Sequence, residues 1–479
     1  MSVLKEQLQN ADKLLRQARI AEAVRLLPKK DFEGLSREER LLAANISRRT
    51  YHIGLGLRLL HPLIFSEHSR PQERELAEYA VLLTLNGGFE EAKRLLNPIQ
   101  KPQHPETLLA KVWTHFGVWE FQESIPLLTE YIQQQKDPYY NFAGRINLTE
   151  ALFETRDLTR CERELESIIK ELSATSFGRL RANALHIQGM LLHAQGDLKK
   201  SQQVLQQGLS IFGKAKTSDK LLLHRQIGIN TATELNDLKP LKDFRKVAAK
   251  DRAWDSLRKV DLESLKIKFD RSLFLKLYFG TPFVQFRRDL ERLFPNAEVP
   301  DTFRWGDNKG SCLDLSSGKF LRGPDSVLSG VSLKLLEVFS KDLYSPLKIG
   351  DIFSGLFPDE HFHFVNSPNR VRQALHRFRQ DIEEKKLPLS LTYREGFYLL
   401  KPLKNFAVMR DLQSLNRNVS TDSQFEILKA LKYFSRKEAM SALGLPKATA
   451  IRLIGRYVAE GKLSQIGVGK STMYKVVSY

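Results

Sequence analysis

Cysteine is almost missing from this chain of 479 residues: only Cys161 and Cys312 occur, far apart and without CxxC spacing. Neither a disulfide scaffold nor a zinc site follows from such a pair, and a reducing cytoplasm is the expected compartment. Long apolar runs are missing too. Nothing approaches the roughly 20 residues that would span a bilayer, so no membrane partner is expected. The opening stretch, Met1 to Leu15, is amphipathic and charged and does not read as a signal peptide. Acidic residues are the minority charge, 56 against 75 Lys and Arg, which leaves a formal net charge of +19. That excess points to a polyanionic partner. No nucleophile–base pair, metal cluster or phosphate loop is legible, so the reading is of a non-enzyme with no cofactor, no catalytic residue and no metal ligand. Gly469-Lys470-Ser471 ends like a phosphate-cradling loop, but Ser464 stands where its first glycine belongs, and β-prone residues follow instead of a helix. His361 and His363 beside Glu360 supply three ligands at most, without helical spacing, and are not taken as a metal site.

What is present begins with repetition. Ala23-Val-Arg-Leu-Leu-Pro28 recurs as Gly56-Leu-Arg-Leu-Leu-His-Pro62 and as Ala92-Lys-Arg-Leu-Leu-Asn-Pro98, with weaker copies at Ser124, Cys161 and Ser201. These anchors are small residues that let paired helices approach closely, and Pro28, Pro62 and Pro98 read as helix ends. A small residue recurring at a period near 34 resembles the tetratricopeptide repeat, a helix–turn–helix unit. The resemblance implies a solenoid over residues 1–240 whose concave face holds a protein, peptide or small-molecule effector. Residues 241–310 stay helical in pattern without the repeat and read as a connector.

A second composition starts near Ser311. A short hairpin around Gly318 is followed by helical patterns at 328–340, 349–356 and 367–386, then by strands on either side of Glu395-Gly396. Val371, Leu375, Phe378 and Ile382 form an apolar stripe on the third helix. Asn369, Gln373, His376, Arg377 and Gln380 lie opposite, flanked by Arg370 and Arg372, with Ser367 as the expected cap and Pro368 in the first turn. Over 311–402 the chain resembles the effector domain of OmpR/PhoB-type response regulators. The apolar spacing and the Phe378-Arg379 pair match, whereas Phe397 intervenes between Gly396 and Tyr398. No receiver-like α/β domain precedes it, so a phosphorylation switch is not expected.

The terminal stretch, 421–479, follows a linker at 403–420. Ser435 and Glu438 form a capping box, Gly444 stops that helix, and Leu445-Pro446 leads to a second helix at Lys447–Glu460. Strands at Leu463–Ile466 and Met473–Val477 complete an outline that resembles a winged helix-turn-helix. Ala450, Ile451, Ile454, Tyr457 and Val458 are the expected core face, and Lys447, Ala448, Thr449, Arg452 and Arg456 the outer one. The expected fold is therefore mainly α: an α-solenoid followed by two α+β winged-helix domains. The two resemblances imply a cytoplasmic, bacterial, sequence-specific transcription regulator that binds double-stranded DNA. Its contacts would be Asn369, Arg370, Arg372, Gln373, His376, Arg377 and Arg394 in the first winged helix. Lys447, Thr449, Arg452, Arg456 and Lys470 would serve in the second. The alternative is a non-catalytic scaffold or adaptor whose winged helices bind proteins.

Overall fold

The computed structural model describes residues 3–476 apart from 17–19, 29–33, 67–68, 213–217, 308, 324–326, 359, 413–414, 416–424, 426–427, 430, 432, 444–446, 460–462 and 468–471. It divides into two compact units, 1–299 with 304–409, and 300–303 with 410–479.

The first unit opens with antiparallel helix pairs: α1 (Val3–Arg16) with α2 (Ile20–Arg25), α3 (Arg37–Arg49) with α4 (Ile53–Ile64), and α5 (Glu73–Leu85) with α6 (Phe89–Leu96). They continue as α7 (Pro105–Phe116) with α8 (Phe121–Gln134), α9 (Pro138–Glu154) with α10 (Leu158–Leu172), and α11 (Gly178–Ala194) with α12 (Leu198–Phe212). Every anchor sits on the second helix of its pair, and Ala23, Gly56, Ala92, Ser124, Cys161 and Ser201 are all buried. Two polar anchors bond across the pair: Ser201 Oγ donates to Gly189 O at 2.6 Å and Cys161 Sγ to Thr149 O at 3.4 Å, whereas Ser124 Oγ donates to Phe121 O of its own helix. A Cβ at Gly189 would lie 2.6 Å from Leu205, which measures how closely α11 and α12 approach. The fold is a tetratricopeptide-like solenoid, and it does not stop at residue 240. The stretch read as a connector adds α13 (Ser218–Leu235) with α14 (Lys239–Lys250) and α15 (Trp254–Ile267) with α16 (Arg271–Phe279), before α17 (Val284–Leu293). Sequence spacing missed these pairs because no small residue of the earlier kind marks their second helices.

The turns repeat more strictly than the sequence. Tyr51, Gly87, Trp119, Arg156, Gly196 and Asn236 all have positive φ, between 50° and 93°. The residue after each one donates its N–H five residues back: His52 to Ser47, Gly88 to Leu83, Glu120 to His115, Asp157 to Leu152, Asp197 to Leu192, and Asp237 to Ala232. This is the left-handed helix stop that satisfies carbonyls left open at a helix end. Only two of the six residues are glycine, so composition alone concealed the motif.

After α17 come β1 (Thr302–Gly306), β2 (Ser311–Asp314) and β3 (Phe320–Arg322), then α18 (Gly330–Lys341), α19 (Ile349–Leu356) and α20 (Asn366–Glu384). The strands β4 (Leu389–Arg394) and β5 (Phe397–Pro402) pair in register from Leu389↔Pro402 to Arg394↔Phe397. Glu395 and Gly396, both at positive φ, form their turn. The segment read as a linker contains β6 (Phe406–Asp411), which runs parallel to β2 with Ser311 opposite Phe406. Phe406, Ala407 and Val408 are all buried. A run apolar on both faces is the mark of an inner strand.

In the second unit, β7 (Tyr433–Ser435), α21 (Arg436–Leu443), α22 (Lys447–Ala459), β8 (Leu463–Ile466) and β9 (Met473–Val476) follow in order. The sheet order is β7-β9-β8, so β7 is a third strand beyond the expected pair. The capping box forms: Ser435 N donates to Glu438 Oε2 at 2.7 Å, and Glu438 N to Ser435 Oγ at 3.3 Å. Ala450, Ile454 and Tyr457 are buried as expected, but Ile451 is exposed and Leu453 takes its place in the core. Gly444, Leu445 and Pro446 lie outside the described residues.

Two glycines in equivalent turns give a controlled test. A Cβ at Gly196 meets nothing within 4 Å, whereas one at Gly87 falls on the Asp351 carboxylate of α19. Gly196→Ala should cost only the left-handed strain, about 1–2 kcal/mol. Gly87→Ala should cost visibly more in chemical denaturation. Equal losses would mean that α19 does not rest on the α5–α6 turn.

Candidate nucleic-acid interface

The site is built on α20. Val371, Leu375 and Phe378 are buried against the core that Leu335, Leu336 and Phe339 of α18 help to form, with Ile382 half-buried at the far end. Burying that stripe turns the other side outward. Asn369, Arg372, Gln373, His376, Arg377 and Gln380 are all exposed. Arg372 Nη1 donates to Asn369 Oδ1 at 2.9 Å, the one internal bond of this face. The face offers amide and guanidinium groups at about one-turn spacing, which is the chemistry that pairs with purine edges.

Two expected contacts are placed differently. Arg370 is ion-paired with Glu360, and its guanidinium stacks 4.0 Å from the Phe357 ring centroid, so it braces the segment between α19 and α20. Ser367 is not the helix cap. It lies inside α20, and its Oγ accepts the His363 N–H at 2.8 Å. Arg394 is exposed near the hairpin turn, 3.5 Å from Glu395, which is itself ion-paired with Arg252 of the solenoid.

In the second unit Lys447, Thr449, Arg452 and Arg456 fall on α22, whose buried side is Ala450, Leu453, Ile454 and Tyr457. Their side chains and the whole of Lys470 lie outside the described set.

The solenoid holds this domain at the loop that leads into α20. Glu91, 1% exposed, accepts the Phe362 N–H with both carboxylate oxygens at 3.0 Å and lies 3.3 Å from His361 Nδ1. Lys348 Nζ donates to Leu85 O at 2.7 Å, and Arg94 Nη1 to Pro358 O at 2.6 Å. His61 meets His363 edge-on, ring centroids 4.4 Å apart, and burial pushes the His61 imidazole down to about 4, into its neutral form. The His361-Phe362-His363 segment is thus a docking loop. Among the described residues, no group of three His, Cys, Asp or Glu is placed to hold a metal. A second contact joins the same domain to later helices. Arg258, fully buried, donates to Asp342 Oδ2 at 2.6 Å between the rings of Phe283 and Tyr344, and Tyr344 OH donates to Asp261 Oδ2 at 2.8 Å. None of these partners carries a sequence motif. They come together only when chain segments more than 80 residues apart are packed.

No protein-family model and no curated protein matches the chain. Solved structures do resemble it in fold. A Rap protein complexed with competence and sporulation factor is 10% identical, covering 80% of this chain and 99% of that one at a TM-score of 0.36. A tetratricopeptide repeat protein from Parabacteroides merdae is 12% identical over 61% of this chain and 99% of that one, at 0.32. The human IFIT1 dimer with PPP-AAAA is 15% identical over 79% and 81%, at 0.30. Likenesses of this size carry no argument about activity, and the repeat assignment rests on the hairpins and turns above. Among the described residues no helix is long and apolar enough to cross a membrane.

The docking contact predicts a pH dependence. Burial pushes the Asp351 carboxyl up to about 6, against the opposing pull of the Lys348 N–H and ammonium. An acid raised in the folded state contributes stability that is whole below its ordinary carboxylate value and is lost as pH rises through about 6. Asp351→Asn should therefore flatten the thermal midpoint between about pH 4 and about pH 7. A variant with the wild-type slope would show that Asp351 is hydrated and the contact open.

Proposed function

We propose that the chain binds double-stranded DNA through α20 and α22, as a non-catalytic transcription regulator, and that its solenoid holds an effector. The observation that carries this reading is the outward side of α20. Six amide, imidazole and guanidinium side chains stand exposed on one helix face. Helix, helix, helix, hairpin is the order in which winged helices present a recognition helix to the major groove. A net charge of +19 favours the approach to phosphate.

A second reading has its own support. The first hairpin-and-helix domain packs against helices α4–α6 of the same chain, and a surface of that kind supports binding to other helical proteins. A helical-repeat protein of this kind also works as a scaffold or adaptor, with its solenoid binding protein or peptide.

The two readings separate on a pair of substitutions. Arg377 is exposed and has no partner among the described residues, so Arg377→Ala should weaken specific duplex binding by roughly 1–3 kcal/mol and relax preference at one base pair. Arg370→Ala should instead lower thermal stability, by no more than about 1 kcal/mol for a half-exposed ion pair, and leave base preference as it was. Binding is measured on selected and scrambled duplexes at several salt concentrations. Unchanged duplex affinity in a folded Gln373/Arg377 double-alanine variant would favour the adaptor.

A further inference from the structure

The β4–β5 hairpin is a sheet of two strands, and among the described residues the far edge of β5 is paired only where Tyr398 meets Leu347. Tyr398 N donates to Leu347 O at 2.8 Å, and Leu347 N to Tyr398 O at 2.9 Å. Both polar groups of Tyr398 thus point away from β4. In an antiparallel ladder the same holds two residues on, at Leu400. The segment around Leu347 does not extend the pairing that far. Ser345 would stand opposite Leu400, but its N–H and that of Tyr344 are turned onto Asp342 Oδ1, at 3.2 and 2.8 Å. Pro346 between them has no N–H to give. Among the described residues no backbone group outside the hairpin bonds to Leu400.

A cavity of about 270 Å³ lies along this open edge, walled by Trp305, Phe339, Leu343 and Pro346 as well as by Leu400. Pockets that take a drug-sized ligand run to roughly 300–1,000 Å³, so this one suits a side chain rather than a cofactor. Two charged residues line it, Asp342 and Lys401. Asp342 is already matched, since the buried Arg258 donates to its Oδ2 at 2.6 Å. Lys401 is exposed and has no partner among the described residues. The free charge at the cavity is therefore positive. An open N–H and C=O, an apolar wall and one unmatched cation are what an added strand requires: main-chain pairing for affinity, and pockets for selectivity. Pro402, without an N–H, ends the edge and keeps the seat short.

We propose that the β5 edge binds an extended acidic segment of a partner protein. The segment pairs with Leu400, sets one apolar side chain in the cavity and brings a carboxylate to Lys401. A net charge of +19 favours an acidic partner over a second copy of this chain. No residue of α20 or α22 lines the cavity, so the site goes beyond the DNA reading and can fail or hold independently of it.

The probes are fluorescein-labelled heptapeptides, read by anisotropy on the full chain. Their central residue is varied through all proteinogenic types, and a pair of Glu, Gln or Lys stands one or two positions to either side, with Val and Thr elsewhere. Binding should need an apolar centre and should weaken in the order Glu, Gln, Lys. N-methylation of the central residue or of the one after it, but not of both, should weaken binding at least about ten-fold, because alternate N–H groups face the ladder. A bound peptide should also slow hydrogen exchange in the fragment that holds Leu400. Lys401→Glu should reverse the charge preference, each change being up to about five-fold for an exposed ion pair. Ser345→Phe, which fills the cavity, should abolish binding and keep the thermal midpoint. No peptide bound at about 1 mM, a charge order unmoved by Lys401→Glu, or unaltered exchange at Leu400 would each overturn the proposal. Dimerisation of the full chain that Ser345→Phe abolishes would overturn it as well, in favour of a second copy on the same edge.

Discussion

Each repeat has to reverse direction within a few residues while its two helices come nearly into backbone contact. Two local conditions make that possible. A small residue on the second helix removes the side chain that would hold the pair apart, and a left-handed residue at the end of the first helix turns the chain while its successor's N–H closes the open carbonyl. Ala92 with Gly87 and Ser201 with Gly196 show both conditions in one unit. Tyr51, Trp119, Arg156 and Asn236 take the same backbone conformation without glycine's freedom, and the same backbone bond from the following residue closes each of these turns. The hairpin-and-helix domain that follows packs on the solenoid that these turns build.

That packing runs through buried charge. The Glu91 carboxylate gives up water and recovers one backbone N–H, shared between its two oxygens, from a position 271 residues later. Arg258 is buried with Asp342 on the other side of the same domain. Removing either partner of such a pair leaves an uncompensated charge, typically about 3–5 kcal/mol. The solenoid therefore grips the hairpin-and-helix domain at two separated places, α4–α6 and α15–α16. A change of curvature between those places would load both contacts together.

The helix faces were legible from spacing alone where the helix is amphipathic. Val371, Leu375 and Phe378 turned inward as their period required, and Asn369, Gln373, His376 and Arg377 turned outward. Arg370 sits on the boundary of that face, where the apolar period assigns it to neither side. Its neighbours Glu360 and Phe357 fix its place by claiming its charge and its flat surface. Ile451 failed for a related reason: it and Leu453 flank the same apolar arc, and only the packing of α22 could choose Leu453.

The sequence by itself determined the helical hairpins up to α12, the buried side of α20, the capping box at Ser435, and the β4–β5 turn at Glu395-Gly396. Each follows from residues within a turn or two of one another, where steric preference and hydrophobic period act directly. Tertiary structure decided the extra repeats α13–α16, the strand β6, the docking of His361-Phe362-His363 on Glu91, and the closing of α15 onto α9. Those arrangements join residues tens to hundreds of positions apart. Their energy lies in burying and pairing particular groups, such as Lys259 with Glu154, and no local pattern announces which partner will arrive.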